Sequence, residues 1–455
     1  MNTSVTQNHQ SDKDLSQSIH RFFKRFRIAS VLKSANAYKK KGIAANQIFQ
    51  YLFTLVFINR SMYMNIITGK QAQSFAKDTV YRFLKMSHIN WLRFTTNLST
   101  RIIRDAIEPL TSEERKNVLI VDDSAFERNR SKKVELLTKA YDHAKKQFFL
   151  GFRMLTLGWS DGNTFLPVNS ILLSSEKKKS RINEAVEMDK RTNGFKRRSL
   201  SKTKATEAMI VLIKEAKRAM LPASYVLFDS WFTSPKVIQE VKKIGYHVIA
   251  MVKKTPKMYF EYHGENISLP EVYKRSKKRR GRSRYLLSVD VNVVRDDVIV
   301  PAKVVFVRNK NNRKDYLILI STDLSIDEDE IIRLYGKRWD IEVFFKVCKS
   351  YLKLRKECNS LSFDAVTAHT AIVFARYMLL SLGARESTDD RSLGGIFLYF
   401  SDEQSDITWI QAFQLLVKML RDLANDYAEI PETVISDLLD VFFSKIPLPL
   451  ANALK

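Results

Sequence analysis

Asp122, Asp229 and Glu342 are the residues whose types and placement could do chemistry. Asp122 closes an apolar run, Val118-Leu119-Ile120-Val121, and Asp229 closes another, Tyr225-Val226-Leu227-Phe228. Each run reads as a buried strand. A carboxylate at such a strand end lies at the sheet edge, where open α/β sheets bind ligands. Two acids brought together without a neutralising partner raise each other's pKa. A hard divalent cation relieves that repulsion, and Mg²⁺ prefers carboxylate oxygen while retaining waters for a substrate. One strand-end Asp alone is better explained as a turn or helix cap. Two of them, followed by a helical Glu, lower that alternative considerably.

The third acid comes with basic company. Tyr335, Arg338, Glu342, Lys346 and Lys349 recur at three- and four-residue steps, so a helix would place them on one face. Ile341, Phe344, Phe345, Cys348 and Leu352 fall on the other face, which should pack on the sheet. A solvated charged face gives a similar period. It does not account for the order Tyr, Arg, Glu, Lys at this spacing.

That spacing, Tyr335-x2-Arg338-x3-Glu342-x6-Lys349, resembles the YREK signature of the insertion-sequence-four family of DDE transposases. Arg338-Trp339-Asp340-Ile341-Glu342 and Lys346 resemble its usual surroundings. Val121-Asp122-Asp123-Ser124 is similar to the family's first-acid block, and Leu227-Phe228-Asp229-Ser230-Trp231-Phe232 to the second. The resemblance is good over roughly 118–355 and weak outside. It implies a ribonuclease-H-like catalytic domain with a β-rich insertion between the second Asp and the Glu. It also implies Asp122, Asp229 and Glu342 as ligands of two Mg²⁺ ions per site, with Mn²⁺ as an alternative, and Tyr335, Arg338, Lys346 and Lys349 as DNA-binding residues. The activity implied is cleavage of transposon ends and strand transfer into target DNA, by a homodimer in the DNA complex. Family members often carry a small residue where Asp123 stands. Asp122 is the preferred first ligand because its distance to Ser124 and Phe126 fits the block, and Asp123 is the reserve.

The elements that must position these residues are legible in outline. Residues 1–112 read as helical, with apolar residues at helical spacing over 44–59 and 74–86 and a basic cluster at Tyr38-Lys39-Lys40-Lys41. This region fits either a DNA-binding domain or a plain helical bundle with a basic surface, and it shows no helix-turn-helix signature. A first part of the core follows over 113–252. It has strands at 118–121, 151–159 and 164–173, with hairpin-turn chemistry at Ser160-Asp161-Gly162-Asn163. A helix at 202–220, a strand at 225–228, a helix at 235–244 and a strand at 247–252 complete it. Pro235 in the first turn and Gly245 past the end bound the second helix. A β-rich insertion with a basic loop at 277–284 is expected over 253–316, and the second part of the core over 317–385. One long helix starting near Asp327 should carry Glu342. The remainder, 386–455, reads as helical. The expected class is therefore α/β, a ribonuclease-H-like mixed sheet with a β-rich insertion and helical flanks.

Bulk properties agree. A chain of 455 residues exceeds one compact core, so several domains are expected. A formal net charge of +27 favours a polyanionic partner, and double-stranded DNA is the partner expected. Cys348 and Cys358 are the two cysteines and form no CxxC pair, which argues against a zinc finger or disulfide framework. The polar start lacks the apolar core of a signal peptide, and no uninterrupted apolar run reaches membrane-spanning length. A cytoplasmic, DNA-associated bacterial protein is expected. Two rival readings remain: a metal-dependent nuclease on the same fold that cuts without joining, and a DNA-binding derivative without catalysis. His369, within an apolar helical stretch, reads as structural.

Overall fold

The computed structural model describes residues 18–386, apart from 40, 59–60, 63–75, 113, 143–144, 281–282, 310–311 and 313–314. The helical region expected over 386–455 lies outside the described residues beyond Glu386. The N-terminal region is helical: α1 (Ile28–Ser34), α2 (Ala45–Thr54), α3 (Lys77–Leu84) and α4 (Trp91–Ile102). Its core is aromatic. Phe49 meets Phe94 edge to face at 5.1 Å, and Trp91 meets Phe83 and Phe94 in the same manner. Such edge-to-face pairs fill volume while aligning ring quadrupoles. Asn90 caps α4 by accepting from the Arg93 N–H at 3.0 Å.

The sheet begins with β1 (Val118–Glu127), β2 (Thr138–Asp142), β3 (Gln147–Ser160) and β4 (Phe165–Leu173). Helices α5 (Asn193–Ser201) and α6 (Ala205–Arg218) lead to β5 (Tyr225–Phe228), α7 (Pro235–Ile244) and β6 (His247–Val252). β3 pairs antiparallel with β1 and β4, while β5 pairs parallel with β1 and β6 parallel with β5. Three antiparallel strands followed by two parallel ones give the ribonuclease-H-like core expected. Local chemistry explains its boundaries. Ser234 caps α7 ahead of Pro235, and Gly245 ends it at φ 93, a left-handed position that a side chain would strain. Gly162, at φ 90, makes the β3–β4 turn.

The β-rich segment continues the same sheet. β7 (Tyr259–Tyr262), β8 (Glu265–Ser268), α8 (Leu269–Arg275), β9 (Tyr285–Arg295), β10 (Val298–Arg308) and β11 (Tyr316–Ser321) follow in order. β11 pairs antiparallel with β6, and the order runs β2-β3-β1-β5-β6-β11-β10-β9-β7-β8, with β4 beside β3. This register joins the segment edge to edge with the core, giving eleven strands among the described residues.

The single long helix expected from Asp327 is two helices, α9 (Glu328–Gly336) and α10 (Trp339–Ser350). They break at Lys337, whose buried ammonium donates to the carbonyls of Lys116 (2.8 Å) and Asp161 (3.0 Å). Gly336, a weak helix former, precedes the break. Helix α11 (Phe363–Glu386) then crosses the core. By length and composition it could cross a membrane, yet 94% of its apolar window is buried inside the protein. Its Arg376 donates to the Leu52 and Phe53 carbonyls of α2 and pairs with Glu357 at 2.6 Å, tying the N-terminal helices to the core.

Candidate active site

β1 and β5 run in parallel with Val121 opposite Phe228, so the next residue on each strand is an acid, Asp122 and Asp229. β5 ends there, whereas β1 does not. The sequence reading placed Asp122 at a strand end, but β1 continues to Glu127 because β3 keeps pairing with it as far as Gly151. Asp122 therefore sits mid-strand, at the point where its neighbour on one side stops. After Asp229 the chain turns: its Oδ1 accepts from the Ser230 N–H at 2.5 Å, and its carbonyl from Phe232 N–H at 3.0 Å.

Alternation along β1 sends Asp122 and Asp123 to opposite faces. Asp123 is gripped by Arg153 of β3 through two hydrogen bonds of 2.6 and 2.7 Å. The same guanidinium lies 5.4 Å over the Trp231 ring. Asp122 faces the other way, toward α10. There Arg338 donates to Asp122 Oδ2 at 3.2 Å and to Glu342 Oε1 at 2.8 Å. One planar guanidinium thus spans the first and third acids, a task suited to its forked donors. The Asp122 side chain is only 20% exposed and that of Arg338 12%.

The electrostatics follow from this crowding. Burial pushes the Asp122 carboxyl up to about 7, and the charges of Asp123 and Asp229 add to the rise while Arg338 opposes it. Burial also raises the Tyr335 phenol, which shares the field of Arg338, Asp229 and Asp122. Tyr335 Oη and Arg338 Nε are buried polar atoms without a hydrogen-bond partner. Lys349, lowered by burial and by Arg355, donates to Ser124 Oγ on the Asp122 face of β1. Lys346 is exposed on α10. Asp340, also on α10, accepts from the Ser160 hydroxyl at 2.6 Å.

The packing face of α10 holds Glu342 and Lys349 in place. Ile341, Phe344, Phe345 and Cys348 are buried, as is Leu352 beyond the helix. Phe344 meets Phe165 of β4 at a tilt, with centroids 5.3 Å apart, and Tyr377 of α11 edge to face at 4.8 Å. Tyr335 belongs to α9, so the five residues expected on one helical face are shared between two helices and the turn joining them.

These residues fit a hard divalent cation. Two carboxylates emerge from adjacent strands, and Asp122, raised by burial and by the charges of Asp123 and Asp229, has the Arg338 guanidinium as the cation beside it. Glu342 is drawn to Arg338, and among the described residues no three His, Cys, Asp or Glu side chains already converge as a metal-binding group. The donor chemistry is present, with the third acid held beside the first by a guanidinium. Sequence reading missed Arg153, Ser124 and Lys337. An arginine inside the apolar run Phe152-Arg153-Met154 was the available signal for the first. Ser124 stood in the first-acid block, but its partner Lys349 and the partners of Lys337 are distant in the chain, so nothing local marked those contacts.

A family model described as DDE superfamily endonuclease matches residues 66–308, just over half of the chain. The match takes in Asp122 and Asp229 and stops before α9, Arg338 and Glu342. No curated protein matches the chain. On the family match, spanning both strand-borne acids, the chain belongs to the DDE superfamily of endonucleases.

Proposed function

We propose that the protein is a cut-and-paste DNA transposase of the insertion-sequence-four type, carrying the YREK arrangement Tyr335, Arg338, Glu342 and Lys349. The observation that carries this reading is the guanidinium of Arg338 lying between Asp122 and Glu342, with Asp229 ending the strand paired beside that of Asp122. Asp122, Asp229 and Glu342 would hold two Mg²⁺ ions, with Mn²⁺ as an alternative. When bound, the ions would supply Lewis-acid activation of a water or 3′-hydroxyl and charge stabilisation for the leaving oxygen of an in-line phosphoryl displacement. Arg338 presents a fork suited to a phosphate, and Lys349 a point charge. Tyr335 brings a phenol held protonated by burial, which can donate to a phosphate oxygen. Lys346 adds charge at the exposed edge of α10.

Asp122 is the first acid in this reading because it shares Arg338 with Glu342, whereas Asp123 is occupied by Arg153. The division into 1–112, 113–252, 253–316, 317–385 and 386–455, the homodimer on paired transposon ends and the cytoplasmic setting belong to the same proposal. A nuclease that only cuts would need the acids but not the phosphate-gripping row. A strand-transfer assay separates the two: product joined to target DNA supports the transposase, while cleavage without joining in Mg²⁺ or Mn²⁺ supports the nuclease.

A further inference from the structure

An exposed aromatic pair stands on the outer hairpin of the sheet. Tyr141 of β2 and Phe148 of β3 are direct cross-strand partners. Their ring centroids are 5.0 Å apart, edge to face. Phe148 is 63% and Tyr141 39% exposed. The Lys139 ammonium lies 4.7 Å over the Phe148 ring, and Lys132, Lys133 and Lys146 are exposed nearby in the chain, while Lys145 pairs with Glu127 at 2.5 Å. Scattered apolar side chains on a surface need no explanation, but a paired aromatic platform with an ammonium over one ring does.

Register fixes where this platform faces. Asp122 pairs with Thr156, Ser124 with Met154 and Phe126 with Phe152. Even-numbered residues of β3 therefore share the Asp122 face, and Phe148 is one of them. Eight residues of β3 separate Phe148 from Thr156, at most ~26 Å at a strand rise of ~3.3 Å per residue. That is roughly eight steps of a DNA strand at ~3.4 Å each.

We propose that Phe148, supported by Tyr141 and Lys139, stacks an unpaired base of the DNA strand that leads away from the acids. The inference rests on the reading that DNA is the substrate. Charge complementarity selects a polyanion, and the open aromatic surface selects an unstacked base. A paired duplex would meet the lysines equally well but would offer Phe148 no base face. Base–aromatic stacking tolerates any sequence because every base has a π-face.

The test compares affinities for an oligothymidylate and for a duplex, without divalent cation, for wild type, Phe148→Ala, Phe148→Leu and Lys139→Gln. Phe148→Ala should weaken oligothymidylate binding ~10-fold and leave duplex binding unchanged. Phe148→Leu should behave like Ala, since it keeps apolar area without a π-face. Lys139→Gln should weaken both DNAs. Equal oligothymidylate affinity for Phe148→Ala and wild type would overturn the stacking proposal alone, as would full retention by Phe148→Leu. Conversion of a dimer to a monomer by Phe148→Ala, with equal loss on both DNAs, would reassign the surface to a second copy of the chain. A wild type that binds neither DNA would overturn the DNA reading itself.

Discussion

Arg338 touches two acids at once, and that contact organises the residue scale. With its charge removed, Asp122 and Glu342 lose the cation that now neutralises them. Asp229→Ala and Glu342→Ala should each abolish cleavage while DNA binding persists, because both remove a carboxylate and leave the basic surface intact. Cleavage and gel-shift assays on the same preparations check this. Arg338→Ala and Lys349→Ala should flatten the salt dependence of DNA affinity, each by about one phosphate contact's share of the slope. Three superimposable salt lines for wild type and the two variants would reject the phosphate role. The adjacent acids also separate here. Asp123→Asn should disturb the Arg153–Trp231 stack and spare the Arg338 contacts, and Asp122→Asn should do the reverse.

At the scale of elements, α10 owes its position to aromatic packing more than to its charged row. Phe344→Ala should lose ~3–5 kcal/mol of stability, the usual range for a buried Phe truncated to Ala, as read by denaturant unfolding. A second element-level effect concerns α11. His369 donates toward the carbonyls of Lys353 and Leu354, with Glu357 at 3.7 Å. Burial holds the imidazole down to about 4 from its ordinary 6.5. The folded state therefore binds this proton less tightly than the unfolded chain. Its stability is full above about 6.5 and declines as pH falls toward 4. Glu357, which burial raises but Arg376 lowers further, acts in the same direction. Melting temperature measured over that range should fall, and less steeply in His369→Gln. These elements were unequally legible. Strands at 225–228 and 247–252 and the helix at 235–244 stood out because short apolar runs, Pro235 and Gly245 mark them locally. The break between α9 and α10 did not, because Lys337 is held by carbonyls far away in sequence.

For the whole molecule, the sheet order places the acids on neighbouring strands, β1 and β5, third and fourth of the ten along its path. β11, β10 and β9 add strands beyond β6, a continuity that hydrophobic pattern alone could not reveal because strand pairing is a tertiary choice. The acid pair was legible, since each Asp follows a buried run, but its geometry was not. Only register shows that β1 outlasts β5 and that Asp123 turns to Arg153. In the proposed function, Asp122, Asp229 and Glu342 act together in divalent-cation-dependent DNA cleavage. The most direct measurement is nicking of DNA carrying the sequences that flank the coding region, by wild type and Asp229→Asn, with Mg²⁺ and with chelator. Nicking by wild type in Mg²⁺, lost in chelator and lost in Asp229→Asn with DNA binding retained, is the predicted result. Undiminished nicking by Asp229→Asn, or by wild type in chelator, would contradict it.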